Sequence, residues 1–165
     1  MLALRYVYVL ALAVWLGGMV MLGGLVAPTT FEVLQAAWPE GGRALAGELF
    51  GTTLARFHYI AYTCGAVLLL TLAAMAILGP RPTGFAARLV LVALMIGVAL
   101  YSGLVVLREI DAIQLEAGTL ASRLPATDLR RIRFDTLHQL STRLMMVNVA
   151  GALALLFWEA RDHGR

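Results

Sequence analysis

Lysine is absent: all thirteen basic residues are arginine. Charge of either sign is scarce, at 14% of the chain, and cysteine is limited to Cys64. One cysteine can form no internal disulfide and no cysteine-only metal cluster. A formal charge of +3, dispersed along the chain, gives no basic stripe of the kind nucleic acid requires. There is no Gly-x-Ser-x-Gly, no His-Glu-x-x-His, no Cys-x-x-Cys and no phosphate-cradling glycine loop. The glycines cluster inside apolar runs, where they make poor phosphate loops. These absences remove the common soluble-enzyme chemistries.

What is present is apolar. The 165 residues are 61% hydrophobic with a mean hydropathy of +0.82. A soluble domain this small has too high a surface-to-volume ratio to hide so much apolar area, whereas lipid solvates it. The length fits one domain, 1–165, and no internal repeat is legible. The stretch Met1 to Pro28 is too long for a signal core and lacks a small-x-small cleavage site, so it reads as a retained helix.

A bilayer core of ~30 Å needs ~20 apolar residues in a helix. Four runs qualify: about 7–27, ended by Pro28; 57–78, stopped by Gly79-Pro80-Arg81-Pro82; 85–107, closed by Arg108-Glu109; and 138–158, closed by Glu159 and Arg161. Pro80 to Gly84 is a tight turn, so helices two and three form an antiparallel hairpin. The other two connections are long and polar and share one side of the membrane. Pro39 suits the first turn of a helix that continues through Leu45, Leu49, Thr53 and Phe57 into the second span. Thr127 is the expected N-cap of a helix running through Leu129, Ile132, Leu137 and Leu140 into the fourth. The expected fold is all-α: an integral membrane four-helix bundle whose helices two and four extend beyond the bilayer on one side. The short-loop side carries Arg5, Arg81, Arg88, Arg161 and Arg165 against Glu159 and Asp162. The positive-inside rule then puts both termini in the cytoplasm and the protein in the inner (plasma) membrane.

Small residues let helix backbones approach closely in lipid, so Gly17, Gly18 and Gly24 on the first helix are expected to pack against other helices. Ionisable groups inside a span are costly and more informative. His58 lies twenty residues before Leu78 and His138 twenty before Trp158. Helices two and four run parallel, so the two imidazoles come to similar depth. His138, Ser141, Met145 and Asn148 share a face of the fourth helix, and His58 and Tyr62 a face of the second. Two imidazoles at one depth are what a bis-histidine haem b or a small copper site needs, with Met145 offering soft sulfur and Asp135 orienting His138. The alternatives are that both histidines are interfacial hydrogen-bonders to tyrosine, serine or backbone groups, or that they transfer protons. Arg143 either snorkels to the interface, pairs with Asp135, Glu109 or Asp111, or holds an anion such as a haem propionate.

Two stretches carry a resemblance. Trp15-Leu16-Gly17-Gly18-Met19-Val20 with Val26-Ala27-Pro28 and Phe31, and Arg133-Phe134-x-x-Leu137-His138-x-x-Ser141, resemble the transmembrane-protein-205-like family. Its members are four-span membrane proteins long catalogued as a domain of unknown function, distantly similar to copper-resistance D proteins and to membrane-bound protoporphyrinogen oxidase. The family's fourth helix often carries an asparagine shortly after the serine; here Asn148 comes seven positions later. The resemblance implies a four-span fold and raises the expectation of a metal or haem role, with His138 in the matching motif. Three readings stand at this point: a haem- or copper-binding membrane protein, a non-enzymatic accessory subunit of a homo-oligomer or larger membrane complex, and a porphyrin-directed oxidoreductase. The bilayer is the one partner that all three share.

Overall fold

The computed structural model describes residues 2–79, 81–118 and 120–163. Four helices long and apolar enough to cross a membrane make up the chain: α1 (Leu2–Ala37), α2 (Gly42–Leu78), α3 (Phe85–Ala117) and α4 (Leu129–His163). The protein is thus an all-α, multi-pass membrane bundle, as composition requires. The principal contacts run α1–α2, α2–α3, α3–α4 and α4–α1, so α2 and α4 occupy opposite corners. The core lies between them and includes Leu12, Trp15, Met19, Leu68, Leu72, Val92, Met95 and Leu155.

At 1.5 Å per residue, helices of 33 to 37 residues are about 50–55 Å long, well beyond a hydrocarbon core of ~30 Å. All four protrude at the long-connection face, not only α2 and α4. Pro28 does not end α1. A π-helical turn at Leu22–Val26 precedes it, in which the Ala27 N–H donates to the Leu22 carbonyl, and Pro28 then sits in the first turn of a fresh α-helical segment. A proline there removes an N–H that the turn leaves without a regular partner, so the helix survives it. Arg108 and Glu109 do not end α3 either: it passes through a π-helical turn at Ser102–Val106 and continues to Ala117, capped by Gly118 at φ 60°.

The connections are shorter than the polar runs suggest, because most of each polar run is helical. Pro39 lies in the tight turn between Ala37 and Gly42 rather than in the first turn of α2. Asp128, not Thr127, caps α4: its carbonyl accepts the Ile132 N–H and its carboxylate the Arg130 N–H. The Arg130 side chain adds two more bonds, from Nε and Nη2, and holds the Asp128 carboxyl below the usual carboxylate range. The hairpin of α2 and α3 forms as expected; Pro80, assigned to its turn, lies outside the described residues. Beyond the membrane core, Val106, Ile110, Ile113, Ala121 and Leu137 form a second cluster that ties α3 to α4. Arg123 reaches across to the Glu40 carbonyl and joins the two tips.

The architecture contains a repeat that the amino-acid pattern conceals. The π turns Leu22–Val26 and Ser102–Val106 lie 80 positions apart, as do the helix ends Ala37 and Ala117. The same offset relates the buried positions. Tyr8 and Arg88, Leu12 and Val92, Trp15 and Met95, Met19 and Ala99, and Leu22 and Ser102 are buried in pairs. So are Leu68 and Asn148, Leu72 and Ala152, and Met75 and Leu155. Two antiparallel hairpins, α1–α2 and α3–α4, are therefore related by a pseudo-two-fold axis along the membrane normal, the parallel class of internal repeat. None of these eight buried pairs matches in residue type, because a core position in lipid asks mainly for complementary volume. Gly23 and Gly103, and His58 and His138, stand at the same offset and do match, though neither pair is buried on both sides.

Candidate functional site

His58 is 9% exposed and is the buried histidine among the described residues. Its Nδ1 lies 2.9 Å from the Leu54 carbonyl one turn back. A carbonyl can only accept, so Nδ1 carries the hydrogen and, in the neutral ring, Nε2 keeps its lone pair. Tyr62 follows one turn later, with its ring centroid 6.0 Å from that of His58 and 6.2 Å from the exposed Tyr59. Both His58 and Tyr62 press on the π turn of α3. A Cβ at Gly103 would stand 2.2 Å from the Tyr62 hydroxyl oxygen and 2.6 Å from the His58 ring carbon Cδ2. Glycine is required there because the backbone of α3 itself is the wall of the site.

The pseudo-equivalent π turn of α1 meets different chemistry. A Cβ at Gly23 would lie 3.0 Å from the terminal methyl carbon of Met145, whose thioether is half-buried between α1 and α4. Asn148, one turn further along α4, is 5% exposed and its Oδ1 has no hydrogen-bond partner. An imidazole and phenol thus lie against one π turn and a thioether against the other, with a buried amide one turn along the thioether's own helix.

The remaining expected site residues lie elsewhere. His138 is exposed and stacks on Phe134 of its own helix, with ring centroids 6.0 Å apart. No hydrogen bond or ring contact joins it to His58. Matched depth is retained, but the α4 ring turns to the rim of the bundle while the α2 ring turns inward. Asp135 is exposed and lies 3.8 Å from Arg131 rather than orienting His138. Ser141 is half-buried and Arg143 exposed. Glu109, one of the acids considered for Arg143, is engaged by Arg133. Among the described residues no three His, Cys, Asp or Glu side chains come together as a metal-holding group. A metal on these helices therefore takes the rest of its ligands from thioether, hydroxyl, backbone or solvent. Of the three packing glycines, Gly18 meets Phe57 at close range, whereas Gly17 and Gly24 face open space.

A second polar centre was not anticipated from the sequence, where its residues entered only as loop charges. Arg88, 1% exposed, is bound through Nη1 to Glu159 Oε2 at 2.5 Å and through Nη2 to Asp162 Oδ2 at 2.7 Å. Its Nε donates to the Thr83 carbonyl at 3.1 Å, and Thr83 donates its hydroxyl to Asp162. Arg5 takes the other Glu159 oxygen at 2.9 Å, and the buried Tyr8 ring lies beside Arg88. The planar guanidinium presents Nε, Nη1 and Nη2 to three acceptors from fixed, separated positions, a geometry that the single ammonium of a lysine does not reproduce. The available signal was Arg88 itself, a charge three residues inside the third apolar run.

The glycine wall is testable. Gly103→Ala is expected to destabilise the bundle by about 1–3 kcal/mol through overpacking against His58 and Tyr62. Gly97→Ala, where nothing lies within 4 Å of the new methyl, should be neutral or slightly stabilising. Unfolding in mixed micelles reads both, and equal effects would remove the wall.

Residues 10–119 match the family described as a domain of unknown function, DUF4149, a stretch that covers most of α1, all of α2 and α3, and stops before α4. No curated protein and no solved structure matches the chain. The chain belongs to the DUF4149 family.

Proposed function

We propose that this member of the DUF4149 family is a membrane-embedded binding protein for a single transition-metal ion of the copper(I) class, held through the Nε2 of His58. One observation carries the reading: a buried imidazole whose Nδ1–H is committed to a backbone carbonyl, which is how proteins orient a ligating histidine. The tautomer is set, the ring is immobilised against Gly103, and Nε2 is the basic atom. A borderline nitrogen donor suits copper, and thioethers such as Met145 add soft character. His58 lies within the stretch that matches the family, whereas His138 does not. The likeness of two short motifs to the transmembrane-protein-205-like family, with its distant copper-resistance relatives, supports the same class of ligand.

A single ion fits these surroundings better than haem. Gly103, Tyr62 and His58 are in contact or close to it, and a porphyrin beside His58 requires α2 and α3 to separate. The reading is tested on the full-length protein purified in mild detergent and titrated with copper(I) against a competing chelator under reducing conditions. One equivalent should bind, His58→Ala should abolish it, and His138→Ala should leave it within about twofold. A Cys64→Ala control removes the one thiol. Undiminished binding by the His58 variant ends the proposal, and a Soret band in the protein as isolated replaces the ion by haem.

The accessory-subunit reading is favoured by a separate observation. Gly17 and Gly24 of α1, and Gly97 of α3, present backbone to open space amid exposed Val20, Met21 and Leu25. Close helix approach from another membrane chain uses such faces. Co-purification with other chains from the native membrane supports it, and a solitary monomer counts against it.

A further inference from the structure

We propose that the seam between α1 and α4 at the short-loop face is a binding site for an anionic phospholipid, which seats its acyl chain in an apolar groove and its phosphate on Arg5. The groove encloses about 670 Å³ and is lined by Leu2, Tyr6, Val9 and Leu156, with Arg5 and Glu159 at its polar end.

The charge around the groove selects the occupant. Among the described residues this face carries Arg5, Arg81, Arg88 and Arg161 against Glu159 and Asp162, an excess of two positive charges. Both acids are consumed internally: each Glu159 oxygen has an arginine partner, and Asp162 is held by Arg88 and Thr83. Arg5 and the buried Arg88 balance the two acids, so the positive excess of this face is carried by the exposed Arg81 and Arg161, the latter next in sequence to Ala160 in the groove lining. Arg5 bonds Glu159 through Nε, its side chain is 33% exposed, and the residue lines the groove. An apolar slot that ends in a guanidinium matches a lipid with a phosphate headgroup and a net negative charge. Tyr6, 68% exposed, stands at the rim as an interfacial aromatic does.

The experiment uses the full-length protein, delipidated in mild detergent and titrated with phosphatidylglycerol, phosphatidylcholine or inorganic phosphate, with the thermal midpoint as readout. Phosphatidylglycerol should raise the midpoint by several degrees more than phosphatidylcholine, and phosphate should leave it unchanged. Arg5→Gln weakens the Glu159 pair and lowers the starting midpoint, so the quantity compared is the difference between the two lipids, which should fall to near zero. Leu156→Trp fills the groove without touching the ion pairs and should also abolish the difference. Arg56→Gln, at the other face, should keep it. Equal stabilisation by both lipids, a response to phosphate alone, or a preference that survives both groove variants would each overturn the proposal.

Discussion

Arg88→Leu is expected to destabilise the bundle by about 3–5 kcal/mol, the usual cost of stranding a buried charge by removing its partner. Two carboxylates, with side-chain exposures of 7% and 10%, lose their common fork, and Arg5 remains for only one of them. The loss should be recovered in large part by adding Glu159→Gln and Asp162→Asn, because neutral amides carry no charge to strand. The triple variant separates stranded charge from lost packing, since it still lacks the arginine. Arg88→Lys should fall between wild type and leucine, as a point charge cannot bond both acids in the fork geometry. Equilibrium unfolding in mixed micelles measures all four proteins. A leucine variant within about 1 kcal/mol of wild type, or a triple variant no better than the single, would show that the cluster contributes little.

Gly42→Ala should damage the opposite end of the molecule. An alanine Cβ there would stand 1.9 Å from the Leu34 carbonyl oxygen, 2.4 Å from its carbon and 2.9 Å from the Gln35 nitrogen. These are backbone atoms, and the Leu34 carbonyl is already bonded by the Trp38 N–H at 3.0 Å. No rotamer change relieves the clash, so the tip of α1 must leave α2, at a cost of about 3 kcal/mol by the scale of severe overpacking. The effect is expected to be local. No side chain between Ala27 and Ala37 is fully buried, so the tip detaches without unfolding the spans. Amide exchange should accelerate across 27–45 and stay unchanged in the membrane core. Gly51→Ala, on open space in the same helix, is the control and should be silent. Unaltered exchange at the tip in the Gly42 variant would contradict the close approach.

The contrast between Gly42 and Gly51, or between Gly103 and Gly97, shows where sequence reading stops. All four glycines sit on helices, and nothing in composition distinguishes those that a neighbouring backbone or ring requires from those facing open space. Gly17 and Gly24, expected to pack, have nothing of this chain within 4 Å of an added Cβ, whereas Gly103 and Gly42, which carry no such signal in the sequence, are closely covered. The histidines repeat the lesson. Their common depth was legible, because depth is a count along a helix. Their directions were not: each follows the axial rotation that packing against neighbouring helices gives α2 and α4. Pro28 misled for a related reason, since a proline ends a helix only if no alternative hydrogen-bond register accommodates it.

What the sequence by itself determined is the number of crossings, their order and the long polar faces. Those follow from transfer of apolar segments into lipid, a free energy that sums along the chain and needs no neighbours. Only the tertiary structure decided the two-fold repeat, the Arg88 cluster, the inward turn of His58 and the outward turn of His138. Inside lipid the hydrophobic effect no longer orients one helix face against another. Close packing and buried polar contacts do so instead, and these exist only between helices.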